Sequence, residues 1–186
     1  LSQYYLAQRD FGEARKAAAE AVKLAPEDAG AANALGLAEL GAGDSGAALE
    51  QFSRAVKLAP RAYGYSLNKA RAHVQRKEPG PAFDAIDSVL KNAPGFLPAL
   101  ALGASTALQF GQVERAAGYV ERLRLAAPGA PIVPRLEGDL AMAQKRYKDA
   151  VADYARAADL ATDTPLTLAQ FEAARKAGLA NPQKYL

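Results

Sequence analysis

The side chains able to do chemistry are few and scattered in this chain. His73 is the one histidine, and cysteine is absent. A thiolate nucleophile, a thiolate metal site and disulfides are therefore excluded. Two carboxylate pairs, Asp84/Asp87 and Asp149/Asp153, stand at helical spacing. Lacking histidine partners or an oxygen-rich loop, such pairs are weak metal candidates. Residues 41–44, Gly-Ala-Gly-Asp, share glycines with a phosphate-cradling loop but follow a helical stretch and lack its lysine. Zinc-protease, nucleophile-elbow, Walker and EF-hand motifs do not occur. The expectation is a chain that is not an enzyme and carries no cofactor and no metal.

Charge points to partners no more sharply. There are 23 Lys and Arg against 20 Asp and Glu, a net charge of +3. Opposite charges alternate at helical spacing, as in Glu20/Lys23 and Glu121/Arg122/Arg124, which is the pattern of a solvated helix surface. A nucleic-acid binder needs a continuous basic stripe with aromatics for stacking. No nucleic-acid partner is expected. No run of 18 apolar residues exists, so this segment carries no membrane-spanning helix. Half the residues are hydrophobic, mostly alanine, which suits helices packed closely through small side chains.

The elements that must position any site are fixed by a repeat. Ala25-Pro26, Ala59-Pro60, Ala93-Pro94 and Ala127-Pro128 recur every 34 residues. So do Ala14, Ala48, Ala82, Ala116 and Ala150. A small column runs Ser2, Gly36, Ala70, Ala104, Gly138. A third column reads Ala21, Ala55, Val89, Leu123, Ala157, and a bulkier one Ala18, Phe52, Ile86, Val120, Tyr154. A fixed long period means a stack of similar supersecondary units.

One unit, residues 29–62, shows the grammar. Ala31, Ala32, Leu35, Gly36 and Leu40 recur at helical spacing. Gly41 and Gly43 end that helix, and Asp44 is placed to cap the next. The second helix carries Ala48, Phe52, Ala55, Val56 and Leu58 on one face, and Pro60 stops it. Elsewhere Asp10 and Glu13 have capping-box spacing. Pro79 and Pro81 open a second helix, Gln109-Phe110-Gly111 closes a first helix, and Tyr147 begins another second helix. Gly36 and Ala48 are expected to face each other at the helix crossing, with Phe52 filling the space between successive units. A last helix is expected over about 164–177, with Gly178 as its C-cap and Asn181-Pro182 opening a further one.

These columns resemble the tetratricopeptide repeat, a 34-residue helix pair. The matches are Leu35-Gly36, Ala48, Phe52, Ala55 and Pro60 in the second repeat, and Leu1, Tyr5, Ala14, Ala21 and Pro26 in the first. The resemblance implies an all-α fold, a right-handed α–α superhelix (a solenoid) of antiparallel helix pairs with a concave face. It divides the chain into a partial repeat at 1–28, full repeats at 29–62, 63–96, 97–130 and 131–164, and a terminal helix or new repeat at 165–186, all in one continuous solenoid. Departures exist. The early large position holds Ala32, Ser66, Leu100 and Pro134, Lys69 and Glu137 replace a leucine, and Thr162 stands where proline closes the other repeats. First helices of the third and fifth repeats are therefore expected to be less regular. His73 falls where the family keeps a packed tyrosine, which implies a structural role.

The family implies a non-enzymatic scaffold that binds a protein or peptide in its groove. The groove positions carried over are Asn33 and Leu37, then Asn68, Arg71 and Gln75, then Ser105 and Gln109, then Arg135 and Asp139. The amides can pair with an extended peptide backbone, and Arg71 and Arg135 can hold a carboxylate. Gly30, Ala34, Leu37 and Gly64 occupy positions that a chaperone-tail clamp needs, so that role is not expected. Residues 96–111 and 137–150 resemble tetratricopeptide lipoproteins of bacterial PEP-CTERM/exosortase systems. That implies an internal fragment of an envelope array linked with exopolysaccharide, the alternative compartment being the cytoplasm. The structural alternative is a segment that self-associates through its ends, where Tyr4, Tyr5 and Leu6 are expected to be exposed.

Overall fold

A computed structural model describes residues 1–160 and 164–185, and of 164 and 165 only the backbone. The fold is all-helical. Unit one, Leu1–Asn92, contains α1 (Ser2–Ala7), α2 (Phe11–Leu24), α3 (Ala29–Gly41), α4 (Ser45–Leu58), α5 (Tyr63–Gln75) and α6 (Pro79–Asn92). Unit two, Ala93–Leu186, contains α7 (Leu97–Gln109), α8 (Val113–Ala126), α9 (Ile132–Ala143), α10 (Tyr147–Leu160), α11 (Thr164–Lys176) and a short 3₁₀ turn at Pro182–Tyr185. Within each unit consecutive helices pack on one another. The expected Thr162 terminus lies outside the described residues.

Two kinds of turn alternate along the chain, and both keep the 34-residue step. After each even-numbered helix from α2 to α8 comes an Ala-Pro turn. Its amide–carbonyl bonds run Asp28 to Ala25, Ala62 to Ala59, Phe96 to Ala93 and Ala130 to Ala127, at 3.0–3.1 Å. The alanine before proline is pushed out of helical geometry, with φ/ψ of −135°/76° at Ala25 and −137°/74° at Ala59. Arginines tie these turns down. Arg54 donates to the Pro26 carbonyl, and Arg122 Nη2 donates to the Pro94 carbonyl at 3.1 Å.

The other turn lies inside each helix pair and requires a left-handed residue. Arg9, Gly43, Lys77, Gly111 and Lys145 all have positive φ, from 58° to 90°. Each donates its amide to the residue three back, and the next amide reaches five back: Asp44 N to Glu39 O, Glu78 N to His73 O, Arg146 N to Ala141 O. This double bond pattern is the Schellman C-cap, which satisfies carbonyls that the helix end leaves open. The residue that completes it is also the N-cap of the next helix. Asp10 and Asp44 do this with carboxylates, accepting from Glu13 N at 3.1 Å and Ala47 N at 3.0 Å. The reciprocal half of the expected capping box does not form, because Glu13 pairs with Lys16 Nζ at 2.6 Å instead.

Packing departs from the sequence expectation in one instructive way. A Cβ on Gly36 would meet the Phe52 ring at 2.7 Å, so glycine faces the aromatic of its own pair rather than Ala48. Ala48 instead shares a buried cluster with Phe52 and Ala72, next to Leu37, Leu40 and Leu49. Phe52 thus seals its own helix pair and reaches the following helix as well. Gly138 sits under Tyr154 in the same way, at 2.6 Å, and Gly103 under Tyr119 at 2.9 Å. In the repeats whose bulky column holds Ile86 and Val120, the small column holds Ala70 and Ala104, and all four are buried. The helices expected to be less regular, α5 and α9, run unbroken over 13 and 12 residues. Leu67, Ala70 and Ala72 hold α5 against its neighbours, and Val133, Leu136 and Leu140 hold α9. The last helix ends at Lys176, with Gly178 at φ +69° closing it. Asn181-Pro182 opens only the 3₁₀ turn.

Candidate functional site

In unit one the candidate residues come from α3 and α5, which touch. Asn33 and Leu37 stand four apart on α3, and Asn68, Arg71 and Gln75 stand on α5 at offsets of three and four. Three of them join. Asn68 Nδ2 donates to Asn33 Oδ1 at 2.8 Å, and Arg71 Nη1 donates to Asn68 Oδ1 at 2.8 Å. Asn33 and Asn68 are half-buried while Arg71 and Gln75 are exposed. Each amide oxygen accepts one hydrogen bond within this chain. The capacity left over includes the donors Asn33 Nδ2, the second Asn68 amide proton and the rest of the guanidinium, beside one lone pair on each amide oxygen. Such a surface offers donors to peptide carbonyls or a carboxylate and acceptors to peptide amides. Leu37 lies against the Phe52 cluster and contributes packing.

In unit two the candidates sit on α7 and α9. Ser105 Oγ donates back to the Leu102 carbonyl of its own helix at 3.1 Å, and Gln109 is exposed at the end of α7. Arg135 and Asp139 share one face of α9, four residues apart. Asp139 Oδ1 accepts from the Tyr154 hydroxyl at 2.7 Å. Burial raises the Asp139 carboxyl above its ordinary range, opposed by the Tyr154 hydrogen bond and the Arg135 charge. Burial and the Asp139 hydrogen bond also raise the Tyr154 hydroxyl strongly. Asp139 is therefore bound inward to α10 as well as facing Arg135, a link invisible without the fold. Tyr154 was legible only as a packing residue.

The remaining chemical groups are engaged structurally. His73 Nδ1 lies 2.8 Å from Glu78 Oε2, and Arg76 Nε donates to Glu78 Oε1 at 2.8 Å. Together they brace the turn between α5 and α6, and these bonds hold the Glu78 carboxyl below its usual range. Asp149 pairs with Arg146 and Asp153 with Arg156, and Asp84 and Asp87 lie exposed on α6. Glu39, in the column of His73, is 5% exposed. Its Oε1 meets Arg15 Nε at 2.9 Å, and its Oε2 has no partner. Sequence alone gave no sign of this buried carboxylate, because its arginine lies 24 residues away on α2. Among the described residues no helix is long and apolar enough to cross a membrane.

A family model described as "Tetratricopeptide repeat" matches residues 1–45, 33–95 and 102–165. The chain belongs to the tetratricopeptide repeat family. Solved tetratricopeptide and related structures share the fold. PilW, a widely conserved type IV pilus biogenesis factor, superposes with a TM-score of 0.85 at 19% identity, over all of this chain and 87% of that one. Pseudomonas aeruginosa pilF gives 0.80 at 18%, over 100% and 85%. Cut9 in its APC/C complex with Hcn1 gives 0.82 at 16%, and there the alignment takes in 97% of this tetratricopeptide chain but only 36% of that one. No curated protein matches the chain. None of these findings supports the narrower resemblance to exosortase-linked lipoproteins.

Proposed function

We propose that this chain is a non-enzymatic scaffold that binds an extended segment of another protein along the α3–α5 face. The observation that carries the reading is the Arg71–Asn68–Asn33 hydrogen-bonded chain, which holds the amides and the guanidinium side by side. An extended peptide offers one carbonyl per residue, and a side-chain or terminal carboxylate suits the Arg71 guanidinium. Gln75 extends the polar stripe. In unit two Ser105, Gln109, Arg135 and Asp139 form the corresponding set. The partition into repeats at 29–62, 63–96, 97–130 and 131–164 belongs to the same reading.

Selection of displayed random peptides against the chain tests it. Peptides bound by the parent are expected to lose at least about tenfold affinity to Asn68→Ala/Arg71→Ala. Equal affinity for the double variant removes the face from consideration. A second reading, self-association, is favoured by Tyr4, which is 62% exposed. Its expected neighbours Tyr5 and Leu6 are half-buried instead, which shrinks the apolar patch. Light scattering decides: a strict monomer at high concentration ends that alternative. An envelope location rests on the sequence resemblance alone, and cell fractionation tests it.

A further inference from the structure

Among the described residues, Gln170 on α11 is a polar side chain buried by more than nine-tenths, with 8% exposed. No hydrogen bond satisfies its carboxamide among those residues. Its polar tip still touches solvent, unlike the sealed Glu39 Oε2 and Gln51 Oε1. Leu166, Gln170 and Ala173 are spaced four and three apart, so they share one side of α11. Leu166 and Ala173 pack in the buried cluster of Tyr154, whose hydroxyl donates to Asp139 Oδ1 at 2.7 Å. Gln170 therefore borders the Tyr154–Asp139 pair, on the candidate face of unit two.

The repeat register shows why this amide stays open. Gln170 stands three 34-residue steps after Asn68. Asn68 donates to Asn33, 35 residues before it, and accepts from Arg71, three residues after it. At Gln170 those two offsets hold Arg135, which has no acceptor, and Ala173, which has no polar side chain. The partners that occupy Asn68 have no equivalent here. A donor group and an acceptor are left unmet where most water is already excluded, which is costly. Whatever satisfies them brings an acceptor and a donor together.

We infer that Gln170 is a binding residue for a partner's main chain, its carboxamide pairing at once with the N–H and C=O of one residue in an extended segment. This rests on the reading that the chain binds such a segment, and it adds to unit two a contact that reads backbone rather than side chains. In an extended strand the N–H and C=O of a residue point to the same side. That pair matches the Oε1 acceptor and Nε2 donor of a carboxamide. A carboxylate offers no donor and a cation no acceptor, so neither satisfies both ends.

Peptides selected from a displayed random library against the full chain serve as probes. In the parent chain the Gln170 side-chain amide resonance is expected to shift saturably when such a peptide is added. Gln170→Leu keeps the volume and removes the unpaired amide, so its melting midpoint is expected at or above that of the parent. Its peptide affinity is expected to fall at least about tenfold. N-methylation at one peptide position is expected to cost affinity in the parent and to add no further loss in Gln170→Leu, a coupling that a merely structural role does not produce. An unmoved Gln170 amide, equal affinity for Gln170→Leu, or N-methyl losses that simply add to the substitution overturn the inference. Peptides that lose affinity to Asn68→Ala/Arg71→Ala but not to Gln170→Leu leave the α3–α5 reading standing and remove this one. A library that yields no binder removes both.

Discussion

Lys77 holds a backbone conformation that its side chain disfavours. Its φ of 60° lies in the left-handed region, where a Cβ costs roughly 1–2 kcal/mol. Gly43 and Gly111 occupy the same step of the repeat without that cost. Lys77→Gly is therefore expected to stabilise the chain by about 0.5–1 kcal/mol, after the extra entropy of glycine in the unfolded state is subtracted. Urea unfolding reads this directly, and a lowered midpoint would contradict the turn geometry. Asp139 makes a second residue-scale case. Burial raises its folded carboxyl above the unfolded value, so the native state binds the proton more tightly. Its contribution to stability is present at low pH and is lost as pH rises through the folded value. Asp139→Asn keeps an acceptor for Tyr154 but cannot ionise. Its stability relative to the parent is expected to improve from pH 3 to pH 7, and midpoints that move in parallel would show that Asp139 does not titrate this way.

Helix pairs are set by what crosses between them. Gly36 has no space for a methyl under the Phe52 ring, so Gly36→Ala is expected to cost about 1–3 kcal/mol through overpacking. Ala48, fully buried in the same cluster, sets the same range for Ala48→Leu. Phe52→Ile beside Gly36→Ala recreates the Ala and Ile that the same two sequence columns hold at Ala70 and Ile86. The double variant is expected to be less damaged than the sum of its parts, and simple additivity would refute the pairing. Gly64 on α5 faces open space, so Gly64→Ala is expected to gain up to about 1 kcal/mol from helix propensity. Much of this scale was legible in the sequence: the helix pairs, the Asp10 and Asp44 caps and the proline stops follow from local rules. The Gly36–Phe52 crossing was misread, because a column of small residues shows that something comes close and not what it is. The left-handed column was missed for a different reason. Arginine, glycine and lysine share no side-chain chemistry there, only a backbone requirement. Of the candidate site, the residues were named through family register, but their joining was not visible. Asn33 and Asn68 are 35 residues apart, and Asp139 meets Tyr154 only once α9 and α10 have paired.

At the scale of the whole molecule, stability in a stack of repeats is a sum of local terms and nearest-neighbour interfaces. The close glycine contacts of the two units illustrate this. Gly36 presses on Phe52 within Leu1–Asn92, and Gly138 presses on Tyr154 within Ala93–Leu186. Neither pair shares a partner with the other, so their strain does not interact directly. The effects of Gly36→Ala and Gly138→Ala on unfolding free energy are expected to add within about 0.5 kcal/mol. The Gly36→Ala/Phe52→Ile cycle, confined to one helix pair, is expected to depart from additivity by more than that. Measuring both cycles in one urea series separates local from long-range coupling. A large interaction energy between Gly36→Ala and Gly138→Ala would mean that the chain responds as one cooperative body to a local insult. A sum of independent costs would mean that each helix pair answers only to its neighbours. In that case substitutions at Asn68 and Arg71 leave the packing around Tyr154 undisturbed, and a loss of peptide binding reports on the α3–α5 face alone.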